Sequence, residues 1–457
     1  MNEQPHRTKD DTNIAPSSMS SGLSLWQVVV VGVAYMTPMT VFDTFGIVSS
    51  ATNGHVPLAY LLALVAMLLT AFSYARFSRV SDKPGSAYTY TADSCGQSTG
   101  FFIGWCTLLD YLLLPLINVL LCGIYLSALV PSVPYWVWVC ITAGIVTLIN
   151  CFRLKFLANL SLIFVLAPVL LMFVFVYLVI QGVGDQRGAD AVMTIAPLLN
   201  GQTHLLPLIA GASILCFSFL GFDAVTTLSR ETKNPKRNIP IAVMLTTLIG
   251  GFIFFTASWF IQLYFPTNQM FTNPDEALPE IVFIVGGALF QSVFLTGQVM
   301  NTIASGLASH ASASRLMYIM GKDGIFHQKT FGQLSSKLGT PLFATLFVGV
   351  ISLTAMFLEL AQVVSLISFG ALVAFTAVNF SVFMKFYIRD GHQQGYRNKL
   401  LNLVLPMISV IAIAALWFNL EASALWFGFA WLGVGCAFFL YKKMTRQQMN
   451  INSSSYE

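Results

Sequence analysis

The chain has 457 residues, of which 56% are apolar and 9% are charged, with a formal net charge of +4. So few charges cannot cover the surface of a water-soluble globular domain, and the composition places the chain in a lipid bilayer as an all-α integral membrane protein. The small positive excess follows from where Lys and Arg fall in the loops, rather than from an acidic partner such as nucleic acid.

Residues 1–22 are polar and of mixed charge. They lack the basic flank, short apolar run and small-residue cleavage site of a secretory signal, so 1–23 is expected to be a retained cytoplasmic tail. Apolar windows bounded by loop signals then follow at 25–50, 56–75, 99–129, 135–151, 158–181 and 206–228. Six more lie at 239–265, 279–309, 341–357, 360–387, 401–419 and 424–441. A hydrocarbon core of roughly 30 Å takes about twenty helical residues, so a dozen crossings consume most of the chain. A single transporter domain over 24–441 and a cytoplasmic tail over 442–457 are expected.

The loops test this map independently, because Lys and Arg concentrate on the cytoplasmic side of short loops. One side would hold Arg7 and Lys9; Arg76, Arg79 and Lys83; Arg153 and Lys155; and Arg230, Lys233, Lys236 and Arg237. The same side continues with Arg315, Lys322, Lys329 and Lys337; Lys385, Arg389, Arg397 and Lys399; and Lys442, Lys443 and Arg446. Only Arg187 falls on the other, which predicts twelve crossings with both termini in the cytoplasm. The cysteines carry no Cys-x-x-Cys pair, and Cys106, Cys122, Cys140, Cys216 and Cys436 sit inside apolar runs, where packing explains them better than disulfides or metal.

Two spans are poor helix material at their middles. In the first, Thr37-Pro38-Met-Thr40 and Thr44-Phe-Gly46 surround Asp43, and Pro38 deprives a helix of an internal hydrogen bond. In the sixth, Gly221 precedes Asp223 and Thr226-Thr227 follows it. The segments Phe42-Asp43-Thr-Phe-Gly-Ile-Val-Ser49 and Phe222-Asp223-Ala-Val-Thr-Thr-Leu-Ser229 share Phe, Asp and Ser in register. With an odd number of spans between them, the second copy would enter the membrane inverted. Backbone groups released at a break cannot face lipid, so both breaks are expected to line a hydrated cavity that holds the substrate.

Charge inside the membrane is one-sided. Asp43, Asp110 and Asp223 lie well inside expected spans, whereas no Lys or Arg does. A carboxylate near the bilayer centre costs about 2.5–3.5 kcal/mol on insertion scales, so an unpaired set calls for a cation from outside the protein. Any one of them could instead bond a neighbouring helix as a protonated carboxyl, and the same group could hold a proton in one state and an ammonium in another. Aromatic residues crowd the same neighbourhoods: Tyr35, Phe42 and Phe45; Trp105 and Tyr111; Phe217, Phe219 and Phe222. Ring faces attract an ammonium and shield a methylene chain. Tyr111 beside Asp110 brings a hydroxyl, and Asn118, two turns further on, an amide.

The cytoplasmic segments Pro84-Gly-Ser-Ala-Tyr88-Thr-Tyr90, Glu231 to Pro240 and Ser314 to Gly324 read as short gating or anchoring helices with turn punctuation. His310 is expected to pack rather than bind metal, and Glu280 could draw cations to the entrance. No cofactor is expected: there is no His-Glu-x-x-His, no clustered His and Cys, and no Gly-rich phosphate loop to support an enzyme. A channel filter of the Thr-Val-Gly-Tyr-Gly kind is also missing.

The segment from Phe217 through Gly221-Phe222-Asp223 into Glu231-Thr-Lys-Asn-Pro-Lys-Arg-Asn-Ile-Pro240, with Ser314-Arg-Leu-Met-Tyr-Ile-Met-Gly-Lys-Asp-Gly324, resembles the amino acid-polyamine-organocation superfamily. Within it, Tyr35-Met-Thr-Pro-Met-Thr-Val-Phe-Asp43 through Ser49, Gly54-His-Val-Pro57, Leu108-Leu-Asp110-Tyr111-Leu and the stretch from Cys216 to Ser229 look like bacterial putrescine importers. The resemblance covers nearly all of the chain outside the tails. It implies a LeuT-like fold of five plus five inverted repeats over about 24–182 and 206–387, with broken helices 1 and 6 and two trailing helices over 401–441. It implies proton-coupled putrescine uptake across the bacterial inner membrane, with Asp223 touching substrate. The amino acid carriers of the superfamily usually break their first helix at a Gly-x-Gly clamp for a carboxylate, whereas this chain has a single Gly46 and Asp43 there. The candidate substrate set is therefore Asp223, Asp43, Asp110, Tyr111, Phe222, Phe219, Phe42, Tyr35, Asn118, Gly46 and Gly221, with the three acids also candidates for carrying the proton. An amino acid importer or amino acid/diamine exchanger, and more remotely a membrane sensor that binds a diamine without moving it, are the other readings. The oligomeric state is left open.

Overall fold

Proline at position 38 does what its missing N–H dictates. In the computed structural model, which describes residues 23–80, 85–152, 157–198, 204–266, 271–335 and 338–444, the first span is two helices, α1 (Leu25–Tyr35) and α2 (Thr40–Thr52). They meet at an angle of 47°. α1 starts at a capping box, in which the Ser24 backbone N–H donates to Gln27 Oε1 at 2.8 Å and the Ser24 hydroxyl accepts from Gln27 N–H. It ends where Thr37 takes a positive φ of 46° immediately before Pro38.

The remaining helices follow in order: α3 (Val56–Ser78), α4 (Ala87–Cys95), α5 (Gln97–Leu129), α6 (Tyr135–Cys151), α7 (Leu157–Arg187) and α8 (Leu205–Leu215). Then come α9 (Pro235–Tyr264), α10 (Ala277–Lys322), α11 (Leu342–Ser352), α12 (Leu360–Val382), α13 (Tyr396–Lys399), α14 (Leu405–Trp417) and α15 (Ala422–Met444). Among the described residues, nine helices are long and apolar enough to cross a bilayer, and the bent pair α1 and α2 makes a tenth. Two shorter apolar helices, Tyr135–Cys151 and Leu342–Phe357, occupy the expected windows at 135–151 and 341–357. Large apolar side chains are exposed on the outer surface, among them Trp26, Leu170, Phe252 and Trp426, as a lipid-facing surface requires.

The sixth span is interrupted as well. α8 passes into a 3-10 turn, Cys216–Phe219, then an extended Leu220, then a second 3-10 stretch, Ala224–Glu231. Gly221 at this break has φ +118°, a conformation that a Cβ strains, and a Cβ there would lie 2.7 Å from the Tyr35 ring and 3.1 Å from the Met36 amide. The two breaks therefore touch. Replacing Gly221 by alanine is expected to cost about 1–3 kcal/mol in strain, lowering the melting temperature of the purified protein and its transport together.

α5 is the central post, packed against α10 and α12, while α3 packs along α9. Trp105 on α5 and Trp431 on α15 exchange two bonds, each indole N–H donating to the other's carbonyl at 2.9 Å. α10 is kinked at Gly287, whose φ of +72° interrupts an otherwise continuous helix. It runs beyond the expected window of 279–309 to Lys322 and stops just before Gly324, which takes a φ of +74°.

Tyr60 on α3 ties α2 to the Cys216–Phe219 turn, its hydroxyl lying 3.4 Å from Thr44 Oγ1 and 3.2 Å from Ser218 Oγ. The other halves of the two broken spans are tied elsewhere. The Thr226 hydroxyl donates to the Gly85 carbonyl at 2.8 Å, Gly85 N–H donates to the Thr226 carbonyl at 3.2 Å, and Lys233 N–H donates to the Leu23 carbonyl at 2.9 Å. Of the loop cations, Arg7, Lys9, Lys83, Arg153, Lys155, Lys337 and Arg446 lie outside the described residues, as do Pro84 and most of both expected tails.

Candidate functional site

The break in the first span places Asp43 in the first turn of α2, where it is only 6% exposed. Its Oδ1 accepts two hydrogen bonds, one from the Tyr125 hydroxyl on α5 and one from Gln298 Nε2 on α10 at 2.7 Å. Asn301 Nδ2 reaches Gln298 Oε1 at 3.5 Å, extending the polar network along α10. With Oδ1 so occupied, the carboxyl is fixed in orientation and contributes to the wall of an internal chamber. The chamber holds about 30 Å³, room for about two water molecules.

Tyr35, Thr37 and Thr40 from the first break, Phe217 and Leu220 from the second, and Asn118 on α5 share that wall with Asn301, Ser305 and Ser309 on α10. Both breaks line one cavity, as backbone groups released inside a bilayer must. Asn118 spends its amide donor on the Leu114 carbonyl at 2.8 Å, a bond within its own helix.

The other two acids form a second pole. Asp110 lies on α5 and is 7% exposed, with Oδ1 buried and without a hydrogen-bond partner among the described residues. α12 passes it so closely at Gly370 that a Cβ there would sit 3.1 Å from the Asp110 Cβ. Asp223 lies in the second break, its Oδ1 accepting from Gly221 N–H at 3.3 Å. Asp223 is near enough to act electrostatically on Asp110, and both act on Tyr35 and Tyr74. Tyr111 belongs to the same neighbourhood through Tyr74. Asp43 has other neighbours, Tyr125 and Gln298, and so stands apart from this pair.

The helix period explains how one element serves both poles. Asp110, Leu114, Ile117, Leu121 and Tyr125 recur along one face of α5. Three of them line the chamber, Asp110 ends the row, and Tyr125 at the other end holds Asp43. The fifteen-residue interval corresponds to about 22 Å of helix. Among the described residues, the side-chain donors to Asp43 are Tyr125 and Gln298 and the donor to Asp223 is the Gly221 N–H; none of them is a Lys, Arg or His.

Tyr35 bridges the poles, lining the chamber while feeling the charges of Asp110 and Asp223. Phe222 sits against Tyr74 and Phe375, at centroid distances of 5.7 and 5.4 Å, on the side of the paired acids. Phe42 packs edge-on against Phe175 and Phe294, each at 5.0 Å, and Phe219 packs on Phe254 at 5.5 Å; neither is part of the chamber wall. Gly46 allows α2 to pass Pro274 and Ala277 closely, and Gly221 forms the contact between breaks. Tyr125, Gln298, Asn301 and Tyr74 were not among the sequence candidates. Intramembrane amides three residues apart in the eighth expected span, and the position of Tyr125 on the Asp110 row, are signals that could have found the first three.

The family model for amino acid permeases matches residues 27–443. The low-affinity putrescine importer PlaP of Escherichia coli strain K12 is 45% identical over 93% of this chain and 94% of that protein. The vacuolar cationic amino acid transporter 4 of Arabidopsis thaliana is 27% identical over 84% of this chain and 66% of its own length. The branched-chain amino acid permease BcaP of Bacillus subtilis strain 168 is 22% identical over 93% and 94%.

Proposed function

We propose that this chain, which belongs to the amino acid permease family, imports putrescine or a similar small aliphatic diamine by alternating access. The observation that carries this reading is a set of three buried acids in spans that hold no Lys or Arg: Asp43 at the first break in the chamber wall, Asp223 at the second break and Asp110 close to it on α5. Each ammonium group of a diamine compensates one pole, whereas the carboxylate of an amino acid meets like charge at Asp43. The similarity to an importer named for putrescine supports the same cargo. The chain is a carrier, not an enzyme, as its relatives are.

In the proposed cycle the diamine enters from the periplasm and places one ammonium on Asp43. The other turns towards Asp223 and Asp110, while Tyr35, Tyr111 and Phe222 cover the methylene chain, with Asn118 at the chamber wall. Since the chamber has room for about two waters, the flanking helices part to admit a four-carbon chain. Proton movement on one of the three acids would couple uptake to the pH gradient. The nine long helices, the bent pair and the two short apolar helices support twelve crossings. The loop charges favour both ends in the cytoplasm of the inner membrane, and the register of Phe42-Asp43 with Phe222-Asp223 at two corresponding breaks favours inverted repeats.

A dication moving down a 100 mV inside-negative potential gains about 4.6 kcal/mol, at about 2.3 per charge. Proteoliposomes containing the full chain are therefore expected to accumulate putrescine more strongly when that potential is imposed, and more again with acid outside. No saturable putrescine uptake, or an amino acid competing at similar concentrations, would overturn the reading.

A further inference from the structure

At the C-terminal end of α3 lies a cluster of arginines that the transport reading does not use. Arg76 closes the last turn of α3, with Arg79 one turn beyond and Arg397 brought alongside from α13. The Arg76 bond to Asn402, five residues beyond Arg397, ties the two segments together, and both Arg79 and Arg397 lie near enough to act on the Arg76 charge. Among the described residues no carboxylate pairs with any of the three. Like charges gathered in this way repel, and the gathering is built rather than incidental. Arg76 Nε donates at 3.3 Å to Oδ1 of Asn402, a fully buried side chain, and its guanidinium carbon stands 4.8 Å from the centroid of the Phe386 ring. Asn402 and Phe386 belong to two π-helical stretches, Leu400–Val404 and Phe383–Arg389, which pack against one another. Such irregular turns persist where side chains must be re-aimed, and frequently mark functional positions.

Arg76 is thus locked through Nε and one ring face, leaving its two terminal nitrogens for a ligand. Arg79 and Arg397 are exposed beside it. Three neighbouring guanidinium groups suit a phosphate group, whose free oxygens accept charge-assisted bonds from such forked donors. Around them the surface is apolar and open: Val80, Ile388, Tyr396 and Val404 are 53, 49, 82 and 40% exposed. A phosphate with hydrocarbon attached satisfies both halves of this surface; an inorganic ion satisfies only the first.

We propose that Arg76, Arg79 and Arg397 form a binding site for the headgroup of an anionic phospholipid, its acyl chains lying on the apolar residues beside α3 and α14. The ligand neutralises the arginine cluster and holds the end of α3 to the loop between α12 and α14. The site is independent of the cargo and stands whether or not the chain carries putrescine. Native mass spectrometry of the full chain in detergent, titrated with phosphatidylglycerol and separately with phosphatidylcholine, tests it. Retention of phosphatidylglycerol over phosphatidylcholine is expected, and the double variant Arg79→Gln/Arg397→Gln is expected to weaken that retention by about 30-fold. Arg79→Lys/Arg397→Lys keeps the charges and is expected to restore most of it. Both positions are exposed, so these variants leave the packing intact. Equal retention of the two lipids, undiminished binding by the glutamine variant, or displacement of the lipid by millimolar inorganic phosphate would each overturn the proposal.

Discussion

Asp43→Asn is expected to reduce putrescine uptake about 30-fold or more while the protein still reaches the membrane. The amide oxygen can accept from Tyr125 and Gln298 as Oδ1 does now, so the local packing survives. The amide nitrogen then replaces Oδ2, and a donor faces the arriving ammonium where an acceptor stood. Removing one member of a buried charged pair typically costs about 2–5 kcal/mol, which sets the size of the loss. Tyr125→Phe leaves the charge but frees its orientation, and a milder loss of about tenfold is expected, mainly in KM. Uptake kinetics in cells, normalised to membrane-inserted protein, separate the two. Wild-type kinetics in Asp43→Asn would remove this acid from the binding site.

Asp223→Asn is expected to abolish putrescine uptake, again with membrane expression retained. The side chain lies where the helix is unwound, held by the Gly221 N–H, and is near Asp110, itself deeply buried. Neutralising Asp223 takes away the acid in the break and leaves Asp110 alone to meet the second ammonium. Its effect is expected to exceed that of Asp43→Asn, because Asp110, left alone, has Oδ1 buried and without a hydrogen-bond partner among the described residues. Uptake at wild-type rates by Asp223→Asn would retire the second pole and with it the two-ended binding of a diamine.

The backbone breaks were legible in the sequence because the residues that cause them act locally. Pro38 lacks an N–H and Gly221 tolerates a positive φ, and both effects are independent of what packs nearby. The three acids were legible for a similar reason, since charge is conspicuous in an apolar chain. Their division into one acid and a pair was not, because it depends on how α5, α10 and α12 pack across the interior. The Tyr125 and Gln298 bonds to Asp43 join residues 82 and 255 positions away along the chain, a separation that no local pattern reveals. Phe42 shows the converse. Adjacency to Asp43 suggested a shared wall, but successive residues on a helix point about 100° apart, and the ring turns into the cluster with Phe175 and Phe294.

Tyr60 hydrogen-bonds to α2 and to the Cys216–Phe219 turn at once, while Thr226 and Lys233 fasten the opposite ends of the same two spans to Gly85 and Leu23. The molecule thus has a latch on each face and a shared pivot between them, where Gly221 abuts Met36. In the proposed alternating-access cycle, that contact would make the two interrupted spans swing together. In that cycle, opening on one side and closing on the other would be a single movement.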